Sequence, residues 1–178
     1  MGRHSLMLIE DEASVVESLR EALWDEYEVL TAGSGEEAIA VMKNRNIDLI
    51  LLDVRLPGMS GITALRIIKN IDNAIPVIII SGSDSVDIVL QGFRYGAWDY
   101  FDKPFSIDAL KASIEAAIQQ STEKPNEAGG GPLSVDMEEL IHNTLEYSLR
   151  LESGLQSALQ RFRERYIELV EQKTPHSL

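Results

Sequence analysis

The chain has 178 residues, 44% hydrophobic and 25% charged, with a formal net charge of −13 and no cysteine. Such acidity argues against a nucleic-acid footprint, which needs clustered Lys and Arg, and the missing cysteine excludes a disulfide framework, thiolate chemistry and a zinc–thiolate site. The opening MGRHSLMLIE is too short and too interrupted for a signal peptide, and the longest apolar runs are strand-length, so a soluble, cytoplasmic protein without membrane contact is expected.

Apolar runs alternate with amphipathic stretches along the first two thirds of the chain. LMLI, from Leu6 to Ile9, is short and continuous and reads as a buried strand. ASVVESLREALWDE places Val15, Val16, Leu19 and Leu23 at helical spacing, and YEVLTA is a second strand. SGEEAIAVMKNR is a helix opened by Ser34, with Glu37 three residues on in a capping-box pattern. IDLILLD is a strand followed by the helix GITALRIIKN, and IPVIIIS a strand followed by SVDIVLQGFRYG, a helix ending near Gly96. AWDYFD is a short fifth strand, and SIDALKASIEAAIQQS a helix capped by Ser106. Continuous Val/Ile/Leu strands joined by helices imply a parallel sheet covered on both faces, hence an α/β fold. In such sheets the ligand site lies outside the carboxyl ends of the strands.

TEKPNEAGGGP, residues 122–132, reads as a flexible linker. No strand precedes its three glycines and no GKS or GKT follows, so a phosphate loop is not expected there. Beyond it, Leu151, Leu155, Ala158, Phe162, Tyr166 and Leu169 alternate at four- and three-residue steps, and Met137, Ile141, Leu145 and Leu149 continue the stripe upstream. An amphipathic helix over residues 133–174 is expected, about 60 Å long at about 1.5 Å per residue. It would need this domain, a second copy or another partner to cover its stripe.

The strand ends carry the chemistry. The first ends in Glu10 and Asp11, the third in Asp53, the fourth in Ser81, Gly82 and Ser83, and the fifth in Asp102, Lys103 and Pro104. Taken singly, Asp53 reads as a turn starter, Ser81 as a helix cap and Lys103 as a solvated cation. Placed together by five β–α units, Glu10, Asp11, Asp53, Ser81 and Lys103 gather three carboxylates, a hydroxyl and an ammonium at one edge. Clustered carboxylates repel one another unless a cation sits among them, and oxygen ligands of this type suit Mg²⁺ or Mn²⁺. A Lys opposite the metal offers a second positive point for a phosphoryl oxygen. A carboxylate so placed is a competent nucleophile toward phosphorus.

These residues resemble a bacterial two-component response-regulator receiver domain of the chemotaxis-receiver type. The matching pieces are LIEDE, DLILLDVRLPGMSG around Asp53, VIIISGS with Ser81, and GAWDYFDKPF with Lys103 and Pro104, over a domain spanning residues 4–121. The resemblance implies a doubly wound five-stranded parallel sheet of strand order 2-1-3-4-5. It implies that Asp53 accepts a phosphoryl group from a sensor histidine kinase or phosphotransfer protein. Asp11, Asp53 and the backbone carbonyl of Arg55 would ligate Mg²⁺ directly, and Glu10 through water. Lys103 would pair with a phosphoryl oxygen, and with Asp53 beforehand. Ser81 would swing toward the phosphoryl group, and Tyr100 would turn into the space this vacates, repacking the helix–strand–helix surface of residues 84–119. The Lys103–Pro104 bond would be cis. Arg55 and Ser83, two residues beyond Asp53 and Ser81, occupy positions that in this family tune loss of the phosphoryl group.

No output domain is recognised in the sequence of residues 133–178. RFRER is interleaved with acids and no helix-turn-helix pattern follows, so DNA binding by this chain is not expected. His142 lacks the helical bundle that a phosphotransfer histidine needs. A homodimerising coiled coil or a connecting helix is favoured over one folded back on the receiver. The reading is a phosphorylation-dependent switch, not an enzyme in the usual sense. Its alternatives are an adaptor indifferent to phosphorylation, the N-terminal part of a longer regulator, and a Mg²⁺-dependent phosphohydrolase. The last usually carries an acid two residues after its nucleophile, where this chain has Arg55.

Overall fold

A computed structural model describes residues 2–82, 86–122, 156 and 160. In chain order the elements are β1 (Ser5–Ile9), α1 (Ala13–Leu23), β2 (Glu28–Ala32), α2 (Gly35–Met42), β3 (Leu49–Asp53), α3 (Gly61–Ile71), β4 (Val77–Ser81), α4 (Val86–Arg94), β5 (Asp99–Asp102) and α5 (Ile107–Thr122). All five β–α units expected from the apolar periodicity are present. The strands form one sheet in the order β2-β1-β3-β4-β5, every pair parallel. The expected fifth strand is shortened at its start. Gly96 takes a positive φ of 88°, and Ala97 and Trp98 precede the ladder as a bend.

Burial explains the strand order. Every residue of β3 and β4 is buried, as central strands with helices on both faces must be. In β2 only Ala32 is buried, as befits an edge. Side chains alternate between two half-cores. Leu6, Leu8, Leu49, Leu51, Ile78, Ile80 and Phe101 pack with Leu19 and Leu23 of α1 and Leu110, Ile114 and Ile118 of α5. Met7, Ile50, Ile79 and Tyr100 occupy the intervening positions, which project to the opposite face of the pleat. α4 comes so close to that face that a Cβ on Gly92 would lie 2.5 Å from Ile79 Cδ1.

Three helices, α2, α3 and α5, begin where serines satisfy their first amides, whereas α1 starts after Glu12 without a side-chain cap. Ser34 Oγ accepts the Glu37 N–H at 3.2 Å, and Glu37 Oε2 reaches back to the Gly33 N–H at 2.7 Å. The reciprocal pair was expected, though the amide it caps is that of Gly33. Ser60 and Ser106 accept from Thr63 and Ala109 in the same way. The chain divides into a unit over residues 1–131 and another over residues 132–178. The expected linker after Thr122, and the helix of residues 133–174 apart from Gln156 and Gln160, lie outside the described residues. Those two positions have helical backbone and exposed side chains. Among the described residues no helix is long and apolar enough to cross a membrane.

One glycine ties the fold to the strand-end chemistry. The Gly61 N–H donates to the Val54 carbonyl at 2.8 Å, and a Cβ on Gly61 would stand 2.1 Å from the Asp53 carbonyl oxygen. α3 therefore starts directly against the backbone that carries Asp53, and only glycine fits. Gly61→Ala is expected to lower stability by about 1–3 kcal/mol through overpacking of backbone on backbone, read as a lower urea midpoint. Trp24→Ala, at an exposed position, is expected to stay within about 0.5 kcal/mol.

Candidate functional site at the carboxyl edge of the sheet

Glu10, Asp53 and Ser81 are the buried residues with charged or hydroxyl side chains among the described residues outside the aromatic core. All three stand at the carboxyl ends of adjacent strands β1, β3 and β4. Buried polar groups are tolerated when hydrogen-bonded or paired, so their concentration at one edge marks a built site.

Their partner is Lys103, carried just past β5. Its Nζ donates to Glu10 Oε2 at 2.5 Å and to Asp53 Oδ1 at 2.8 Å. The second oxygen of each carboxylate is also engaged. Asp53 Oδ2 accepts the Arg55 backbone N–H at 2.5 Å, and Glu10 Oε1 accepts the Glu12 N–H at 3.1 Å. The Lys103 N–H donates to the Ser81 carbonyl at 2.7 Å, which anchors the lysine to β4. The Lys103–Pro104 bond is cis.

Burial disfavours the charged form of Lys103 and pulls its pKa down. Hydrogen bonds to Asp53 and Glu10, with the attraction of both carboxylates, outweigh that and raise it above its ordinary value. Lys103 therefore stays an ammonium through the neutral range. Its stabilising contribution is fully present below the unfolded value of 10.5 and is lost only as pH rises through the raised folded value.

Arg55 spans two loops: its amide holds Asp53, and its Nη2 donates to the Gly82 carbonyl at 3.3 Å. Tyr100 is buried, and its hydroxyl donates to Asp102 Oδ1 at 3.0 Å. Asp11 is exposed at the strand end, and Ser83 lies outside the described residues. Of the three carboxylates expected at this edge, Glu10 and Asp53 share Lys103 and Asp11 is exposed at the rim; among the described residues no group of three or more Asp, Glu, His or Cys is arranged to hold a metal ion.

A divalent cation still fits the donor chemistry. Two buried carboxylates against one ammonium leave an excess negative charge, Asp11 adds another at the rim, and Mg²⁺ is commonly held by one or two carboxylates with waters and phosphate oxygens. Two positions escaped the sequence reading. The Gly82 carbonyl holds Arg55, and Gly61 lets α3 begin against Asp53; the Ser60 cap directly before Gly61 was the available signal.

A model of the response regulator receiver domain matches residues 6–115. The chain is 38% identical over 117 residues to the cell cycle transcriptional regulator CtrA of Caulobacter vibrioides, covering 65% of this chain and 51% of that protein. It is 35% identical over 130 residues to the transcriptional regulatory protein YkoG of Bacillus subtilis, covering 72% of this chain and 57% of that protein. The chain thus spans little more than half the length of these relatives. A crystal structure of a response regulator receiver domain protein from Clostridium thermocellum superposes with a TM-score of 0.63 at 31% identity, over 67% of this chain and 97% of that one. With the match covering most of the folded β–α units, the chain belongs to the response regulator receiver domain family.

Proposed function

We propose that the chain is a phosphorylation-dependent switch in which Asp53 takes a phosphoryl group from a phosphohistidine of a sensor kinase or phosphotransfer protein. The observation that carries this reading is the buried Asp53 carboxylate, oriented by the Arg55 amide and the Lys103 ammonium at the end of a central strand. Membership of the family makes phosphoacceptor signalling, not steady turnover of a substrate, the general role.

The residues divide the work. An Asp53 oxygen attacks phosphorus as the bond to the donor nitrogen breaks, forming an acyl phosphate. Lys103 is already within reach of Asp53 and can follow the developing charge on a phosphoryl oxygen. The site's donors for Mg²⁺ would be Asp11, Asp53 and the Arg55 carbonyl, with Glu10 acting through water; the ion, or Mn²⁺, would neutralise phosphoryl charge. Phosphorylation adds about 1.5 to 2 negative charges. Ser81, on the strand beside Asp53, supplies the hydroxyl that responds, and Tyr100 the aromatic that moves with it. The surface of α4, β5 and α5 then repacks to control a partner or dimerisation.

The relatives are transcriptional regulators by name. For this chain we favour output through protein contacts, in the cytoplasm, without DNA or membrane binding by the chain itself. Its net charge of −13 supports this, as does the interleaving of acids with the one basic cluster near its end.

Light scattering with Mg²⁺ and beryllofluoride, a mimic of the phosphoryl group, tests the switch. A shift from monomer to dimer that vanishes in Asp53→Asn is expected; a dimer that persists unchanged in Asp53→Asn favours the phosphorylation-independent adaptor. Lys103→Met is expected to slow phosphorylation by acetyl phosphate about 100-fold, followed by the mass of the intact protein. Ser81→Ala is expected to keep uptake within about tenfold of the unaltered chain while losing the dimer shift; full retention of the shift would remove Ser81 from the switch.

A further inference from the structure

The outer edge of β2 lies two strands from β3, which carries Asp53, and has no part in the chemistry above. Among the described residues β2 pairs only with β1. The Glu28 N–H donates to the His4 carbonyl, and the Ala32 carbonyl accepts from Glu10. In a parallel ladder alternate residues face the same neighbour. Glu28, Leu30 and Ala32 therefore turn their backbone groups to β1, while Val29 and Thr31 turn theirs outward, where β2 has no neighbouring strand among the described residues.

A groove runs along this edge between α1 and α2. Val29, Leu30, Ala40 and Val41 make its apolar floor, and Arg20 and Arg45 flank it. An adjoining concavity, sharing Arg20 and Thr31, continues past Val16 to Glu10. Neither arginine side chain has a hydrogen bond or ion pair among the described residues. Glu37, which also lines the groove, is engaged with the Gly33 N–H. In a chain carrying 29 acids against 16 Lys and Arg, two arginines against the single acid Glu37 leave this groove with a local excess of positive charge, while Glu17 and Glu10 line the adjoining concavity. Edge strands are usually blunted by Lys, Pro or a bulge. β2 reads EVLTA, with its single charge at the first position and neither Lys nor Pro.

We propose that the β2 edge is a strand-addition site for an extended, acidic peptide segment of a partner protein, one that alternates β-branched residues with carboxylates. Its backbone would pair with Val29 and Thr31. Its apolar side chains would lie along Leu30, Ala40 and Val41, and its carboxylates would reach Arg20 and Arg45. Main-chain bonds supply affinity in such pairing, and the alternating side chains supply selectivity. A second copy of the chain fits less well, since it would bring Arg20 and Arg45 against their own equivalents and join two chains of net charge −13.

The test is amide hydrogen exchange on the full chain with a synthetic hexapeptide of alternating Glu and Val, beside a control in which Lys replaces Glu. Slower exchange of the Val29 and Thr31 amides with the Glu peptide alone is expected. Reversing both charges, Arg20→Glu with Arg45→Glu, is expected to weaken binding at least about tenfold. Unchanged exchange at millimolar peptide, equal protection by the Lys peptide, or protection confined to other strands would overturn the proposal. Protection that rises with protein concentration and without peptide would overturn it too, assigning the edge to a second copy. The unaltered chain gives the primary readout, so a poorly folding variant leaves the outcome decided.

Discussion

One ammonium held between two buried carboxylates organises the functional edge of this molecule. Glu10 and Asp53 stand on neighbouring strands, where their charges would repel in a poorly solvated setting. Lys103 bridges them at 2.5 and 2.8 Å. Taking three charged groups out of water is costly unless each is paired and hydrogen-bonded, and here every carboxylate oxygen has a donor. The arrangement still leaves one negative charge in excess. That imbalance suits a cation, and a cation there would offset the charge that the proposed phosphoryl group brings.

The rest of the fold holds these groups still. β3 and β4 are buried along their whole length, so Asp53 and Ser81 project from strands fixed by packing on both faces. α3 abuts the Asp53 backbone through Gly61, and the Lys103 amide is bonded to the Ser81 carbonyl. Backbone and packed side chains are thus contiguous from Lys103 through the end of β4 to α4, which rests on Ile79 through Gly92, and the proposed switch would run along them.

Much of this was legible in the sequence because it follows from periodicity. Runs such as LILLD and VIIIS read as central strands of a covered parallel sheet, and Ser34 and Ser106 mark helix starts by their chemistry. The strand-end residues were legible as a group because parallel strands present all their carboxyl ends on one side. Pairing was less visible. Glu10 and Lys103 are 93 residues apart, and no local pattern says that the lysine will take Glu10 as well as Asp53. Nor did a pattern reveal that Arg55 would hold Asp53 through its amide while its guanidinium reached Gly82. The start of β5 differed for a local reason, the positive-φ turn at Gly96.

The central claim is that Asp53, alone among the acids at this edge, forms the covalent bond to phosphorus. The most direct measurement is to expose the chain to acetyl phosphate with Mg²⁺, reduce any acyl phosphate with borohydride, and map the product by peptide mass spectrometry. The account predicts homoserine at position 53 and unmodified Glu10 and Asp11. Reduction at Glu10 or Asp11 with Asp53 intact, or no reduced residue at all, would contradict it.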